Sequence, residues 1–131
     1  MIALDTNVLV RFLVEDDKAQ TARAKALVRD TLERGGELFI ADVVLCEVVW
    51  VLHVSYRIQR QQITETLQRL LQARHLRFRD SDLLERALAA YQTGKGDFAD
   101  YLIRELATHA GCGTVATFDK ALPKERGFKA P

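Results

Sequence analysis

The sequence predicts an α/β fold, a central and mostly parallel sheet flanked by helices, on three observations. Short strand-like runs at Met1 to Leu4, Leu38 to Ala41, Leu76 to Arg79 and Thr114 to Thr117 alternate with longer stretches of helical periodicity. Each run is followed by a turn residue or a helix cap, the order that parallel strands joined by helical crossovers require. The 131 residues are 48% hydrophobic, enough for one buried core, so a single domain over residues 1–131 is expected.

Met1 to Leu4 reads as a short buried strand, and Asp5-Thr6-Asn7 as the turn after it. A helix starts near Thr6, because Val8, Leu9, Phe12 and Leu13 recur at helical spacing. Glu15-Asp16-Asp17 interrupts it and opens a second helix, with Ala19, Ala22, Ala26, Leu27 and Leu32 as its apolar residues and Gly35-Gly36 as its stop. After the strand from Leu38 to Ala41, Asp42 is expected to cap an apolar helix from Val43 to about Val54, with Trp50 in the core. Gln61 to Ala73 is amphipathic through Ile63, Leu67, Leu70 and Leu71. Leu76 to Arg79 alternates like a strand. Ser81 is expected to cap a helix whose apolar face is Leu83, Leu84, Ala87, Leu88 and Tyr91. Gly94-Lys95-Gly96 is a loop, a helix opens near Asp97, and a strand at Thr114 to Thr117 ends in a turn at Asp119-Lys120.

Charge and cysteine content narrow the function classes. A formal net charge of +1 supplies no general attraction to nucleic acid, so any such binding must be local. One segment is locally basic: Arg57, Arg60, Arg69, Arg74, Arg77 and Arg79 stand against Glu65 alone, six positive charges minus one, or +5. A solvated helix face and a phosphate-contacting surface both account for it. The apolar stretch from Val43 to Val54 is broken by Glu47 and His53 and is too short for a bilayer. Cys46 and Cys112 fit reduced thiols, and a cytoplasmic protein without a membrane segment is expected.

Four acids carry the chemistry. Asp5 closes the first apolar run, Glu47 interrupts the helix after the second, Asp100 follows Asp97 by three residues on one helix face, and Asp119 ends the last run. A helix cap or a solvated side chain explains any one of them alone. Together, at element edges among apolar neighbours, they would repel one another unless a hard cation paired them. In an open α/β sheet the functional crevice lies beyond the carboxyl ends of the strands, where Asp5 and Asp119 fall. Mg²⁺, with Mn²⁺ as a substitute, suits open carboxylate coordination and phosphodiester hydrolysis. Asp97 is a helix cap or an additional ligand, and Thr6, Asn7 and Thr117 are candidates to orient the acids. His53, His75 and His109 are scattered, and neither a nucleophile elbow nor a glycine-rich phosphate loop occurs.

Asp5-Thr6-Asn7, the glutamate in Asp42-Val43-Val44-Leu45-Cys46-Glu47-Val48, Asp97-Phe98-Ala99-Asp100-Tyr101-Leu102-Ile103 and Thr117-Phe118-Asp119-Lys120 resemble the PIN-domain nucleases, above all the VapC toxins of type II toxin–antitoxin pairs. The resemblance spans essentially the whole chain and all four acidic positions. It implies a three-layer α/β/α fold and a catalytic, metal-binding set of Asp5, Glu47, Asp100 and Asp119, with Asp97 nearby. It further implies Mg²⁺-dependent endoribonuclease cleavage of RNA, inhibition by a cognate antitoxin, and frequent homodimerisation. Other readings are a PIN nuclease of ordinary RNA processing, a receiver-type signalling domain and a non-catalytic RNA-binding module. The receiver wants adjacent acids after the first strand, but Asp5 stands alone; the binding module has no use for four acids.

Overall fold

The computed structural model describes residues 1–131, which divide into two compact units, Met1–Arg79 and Asp80–Pro131. The first unit holds a parallel sheet in the order β1 (Ile2–Ala3), β2 (Leu38–Phe39), β3 (Leu76–Arg77), with Ile2 opposite Leu38 and Leu38 opposite Leu76. Its helices are α1 (Thr6–Leu13), α2 (Lys18–Glu33), α3 (Asp42–Trp50) and α4 (Arg60–Gln72). The second unit consists of α5 (Ser81–Thr93), α6 (Phe98–His109) and a parallel pair, β4 (Val115–Ala116) with β5 (Phe128–Lys129). Strands alternate with helices and every strand pair is parallel, as the sequence predicts.

The central strand of the first unit is the best buried: Leu38 and, just past it, Ile40 are wholly inaccessible. Leu9, Leu45, Val48, Leu52, Ile63 and Leu67 complete that core. In the second unit the core is Leu83, Leu84, Ala87, Leu88 and Tyr91 from α5 with Phe98, Tyr101 and Leu102 from α6. Tyr91 and Phe98 meet edge to face, their centroids 6.1 Å apart. Both sets follow the 3.6-residue period.

Several expectations are corrected. Met1 to Leu4 is not a buried strand: Ile2 is 40% exposed and only Leu4 is buried, since β1 is an edge of its sheet. The buried face of α2 is Thr21, Ala24 and Thr31, one side of the helix away from Ala19 and Ala22, which are exposed. Trp50 is 59% exposed, because the helix turns Leu45, Val48 and Val49 inward instead. Two caps shift by one residue. Ala41 is the N-cap of α3 while Asp42 lies in its first turn, ion-paired to Arg79 at 2.8 Å. Asp80, not Ser81, caps α5, its carboxylate accepting the Leu83 N–H at 3.1 Å.

Past Trp50 the helix widens into a π-helical stretch, Val51–Ser55, that ends where Arg57 takes a positive φ of 54°. Positive φ is uncommon for a residue with a Cβ. Here the Ile58 N–H, bonding back to the Leu52 carbonyl at 2.9 Å, fixes the reversal. The basic segment is correspondingly broken up among a loop, α4 and β3. Arg77 pairs with Glu37 and Arg79 with Asp42, so acids outside the segment offset part of its charge.

Candidate functional site

In the first unit, Asp5 stands at the N-cap position of α1, yet its carboxylate makes no capping hydrogen bond and is exposed. It therefore has an uncommitted acid at the carboxyl end of β1. The next residue, Thr6, is buried with its Oγ1 unpartnered, which is costly for a hydroxyl unless another group completes it. Asn7 is exposed and lines a cavity of about 410 Å³ with Arg11, Gln20 and Arg23. Glu47 is exposed on α3. Beside it the Cys46 thiol is pushed up to about 11, first by burial and then by the charges of Asp42 and Glu47.

The second unit assembles the denser acidic group. Asp97 is the N-cap residue of α6, and Asp100, three residues on, accepts the Asp97 N–H with Oδ2 at 2.8 Å. Asp119 lies after β4; its Oδ1 accepts N–H groups from Ala121 at 2.7 Å and Leu122 at 3.1 Å, pinning the 3₁₀ turn Leu122–Lys124. The Thr117 hydroxyl accepts the Asp119 N–H at 3.1 Å. Asp100 and Asp119 thus each spend one carboxylate oxygen on backbone.

Glu125 is the acid that sequence reasoning missed. Tyr101 donates its hydroxyl proton to Glu125 Oε1 at 2.7 Å, and the Lys95 N–H reaches Oε2 at 3.2 Å. The Gly96 N–H in turn bonds the Tyr101 oxygen at 2.9 Å. Its signal was faint, because Glu125 sits in a polar terminal stretch rather than at an apolar run. Two glycines make the loop possible: a Cβ on Gly94 would fall 1.8 Å from the Tyr101 hydroxyl, and one on Gly96 2.7 Å from Leu122.

These carboxylates influence one another. Asp100 is raised above the ordinary aspartate value, first by burial and then by the charges of Asp97, Asp119 and Glu125, with the Asp97 N–H acting against them. No lysine or arginine ion-pairs with any of the four; the basic side chains of the unit that do form pairs, Arg86 and Arg104, both go to Glu105. Neither unit by itself gathers three or more His, Cys, Asp or Glu side chains into a ready-made metal cage. The donors nevertheless fit a hard cation in kind. They are carboxylate oxygens lacking basic partners, and an orphaned hydroxyl sits beside Asp5.

The histidines form no acid–base pair. His53 Nδ1 is 3.4 Å from the Ile58 carbonyl, and His75 and His109 are exposed. No helix is long and apolar enough to cross a membrane.

Comparison with known proteins places these residues in context. A curated relative, the VapC ribonuclease of Aquifex aeolicus (strain VF5), is 28% identical over 130 residues, 98% of this chain and 94% of its own length. The PIN domain family matches residues 2–126, a span that includes Asp5, Glu47, Asp97, Asp100, Asp119 and Glu125. With its parallel α/β elements and its acids at element edges, this chain belongs to the PIN-domain family.

Proposed function

We propose that the protein is a metal-dependent endoribonuclease, the toxin of a type II toxin–antitoxin pair acting in the cytoplasm. Asp5, Glu47, Asp100 and Asp119 are its catalytic, metal-binding acids. Asp97 is an additional ligand, Thr6, Asn7 and Thr117 support the set, and residues 1–131 form one domain. The observation that carries this reading is the group around Asp100: a half-buried carboxylate with Asp97, Asp119 and Glu125 acting on it and no basic partner. PIN membership and the relative named a VapC ribonuclease support it. A PIN nuclease of ordinary RNA processing has the same acids and differs in its genetic partner.

Each side chain has a task that follows from its surroundings. Asp100 and Asp119 are each fixed through one oxygen by backbone N–H groups, which leaves the other oxygen for a ligand, so little side-chain freedom is lost on binding. Asp5 and Glu47 bring charge unspent on caps or ion pairs. When bound, Mg²⁺ supplies charge neutralisation at the scissile phosphate and lowers the pKa of water. Thr117 holds the Asp119 backbone, and Tyr101 keeps Glu125 in place.

The proposed partners are an RNA substrate, a cognate antitoxin and a second copy of the chain in a homodimer. A defined single-stranded RNA incubated with Mg²⁺, with Mn²⁺ and with EDTA tests the activity. Cleavage by the parent in either metal, its loss in EDTA, and its loss in Asp5→Asn and Asp100→Asn are expected. Cleavage by Asp5→Asn at the parent rate would sink the assignment.

A further inference from the structure

Phe118 is 91% exposed, the most exposed large apolar side chain of the chain, and it directly precedes Asp119. A lone exposed apolar residue is ordinary on a protein surface, but the backbone on both sides of Phe118 is tied down. The residue before it is tied to β5 through the Thr117 N–H and the Lys129 carbonyl at 2.9 Å. The residue after it is tied three ways: its N–H to Thr117 Oγ1 at 3.1 Å, and its Oδ1 to the Ala121 and Leu122 N–H groups at 2.7 and 3.1 Å. The turn therefore holds the ring out in water, where it covers nothing. Truncating it would cost the core nothing.

We propose that Phe118 is a stacking platform for an unpaired nucleobase of the RNA. The proposal rests on the ribonuclease reading above and adds a substrate-binding residue to it. Phe118 directly precedes Asp119, so the nucleotide that flanks a phosphate handled at Asp119 is the one offered to the exposed ring. Lys120, exposed on the other side of Asp119, supplies a cation for the backbone on that flank. An aromatic face and a cation two residues apart along a fixed turn are the chemistry by which unpaired bases are held without regard to sequence. A face meant for another protein would be a broader apolar patch. Here both neighbours in sequence, Thr117 and Asp119, are polar and Lys120 follows.

Two measurements test it. In steady-state cleavage of a short single-stranded RNA, Phe118→Ala should raise KM roughly 5- to 150-fold, the range of one lost base stack, with kcat within about twofold of the parent. Phe118→Tyr should restore KM and Phe118→Leu should not. An RNA with abasic sites flanking the cleavage position should bind parent and Phe118→Ala alike. In the second measurement, Trp50→Phe combined with Phe118→Trp leaves the indole at position 118 as the only one, and metal-free oligouridylate should quench it. An unchanged KM in Phe118→Ala, rescue by leucine, or an unquenched indole would overturn the platform. If the parent cleaves while these results fail, the ribonuclease reading stands and the platform falls. If the parent does not cleave yet the indole is quenched only by RNA bearing bases, the platform stands and the nuclease reading falls.

Discussion

Asp100 couples the stability of the fold to pH. Its carboxyl is raised above the value it has in the unfolded chain, so ionisation costs the folded state free energy. That cost is fully present above the raised value and fades as pH falls toward the ordinary aspartate range. Asp100→Asn removes the charge and keeps an oxygen to accept the Asp97 N–H. In metal-free buffer it should therefore raise the melting temperature at neutral pH, by a margin that shrinks near pH 4. Mg²⁺ should raise the melting temperature of the parent more than that of Asp100→Asn, because a ligand of the native state stabilises it by mass action. A larger gain in the variant would mean that Asp100 is not a ligand. Asp97→Asn should impair cleavage less than Asp100→Asn, and the reverse order would exchange their roles.

The Asp5-Thr6-Asn7, Asp97 to Asp100 and Thr117 to Asp119 motifs were legible because short polar residues interrupted apolar runs. Glu125 was not. Its place beside Asp100 depends on the Tyr101 hydroxyl and the Lys95 N–H, contacts between segments 24 and 30 residues apart. Nothing in local spacing announces such contacts.

At the scale of elements, periodicity identified α4 and α5 well, since Ile63, Leu67 and Leu70 are buried on one and the whole expected face of the other. Caps were less legible. Asp80 and Ser81 are neighbours that both favour the N-cap, and only the Leu83 N–H bonding to Asp80 tells them apart. Asp80→Ala should accordingly cost about 1 kcal/mol of stability, read by urea denaturation, while Ser81→Ala changes it little. Equal losses would contradict the observed cap. The β5 strand, Phe128–Lys129, escaped notice because Phe128 stands alone between Glu125-Arg126-Gly127 and Lys129 with no apolar run around it, and the strand is entered through Gly127 at a φ of 88°. Arg104 holds that segment: its Nη1 donates to the Arg126 carbonyl at 3.1 Å, and its guanidinium lies 5.3 Å from the Tyr101 ring centroid and 5.7 Å from that of Phe128.

The loop between α5 and α6 gives a second test of an element. Gly94→Ala drives a methyl into the Tyr101 hydroxyl, whose oxygen accepts from Gly96 and whose proton serves Glu125. It should destabilise the protein by about 1–3 kcal/mol. Gly113→Ala, which meets nothing within 4 Å, should be close to neutral. If both variants melt with the parent, the loop is not held as described.

For the molecule as a whole, the alternation of strands and helices was enough for the α/β class, and the four acidic motifs were enough for the PIN family. The sequence is read as one domain over residues 1–131, and no linker composition marks the division into the compact units Met1–Arg79 and Asp80–Pro131. A single-domain chain should unfold in one transition, with far-ultraviolet circular dichroism and Trp50 fluorescence coinciding in urea. Separate transitions would divide it. Expression of the parent alone should slow growth and co-expression of the antitoxin should relieve it; equal growth with parent and Asp5→Asn at matched levels would count against toxicity.

The central claim is hydrolysis by an acid-held metal rather than by histidine-driven attack of the ribose 2′-hydroxyl, for which His53, His75 and His109 offer no pair. Mass spectrometry of the ends released from a defined RNA in Mg²⁺ tests it most directly. The expected primary products carry a 5′-phosphate and a 3′-hydroxyl and disappear with EDTA or Asp100→Asn. A 2′,3′-cyclic phosphate as the primary product, formed equally in EDTA, would contradict the account.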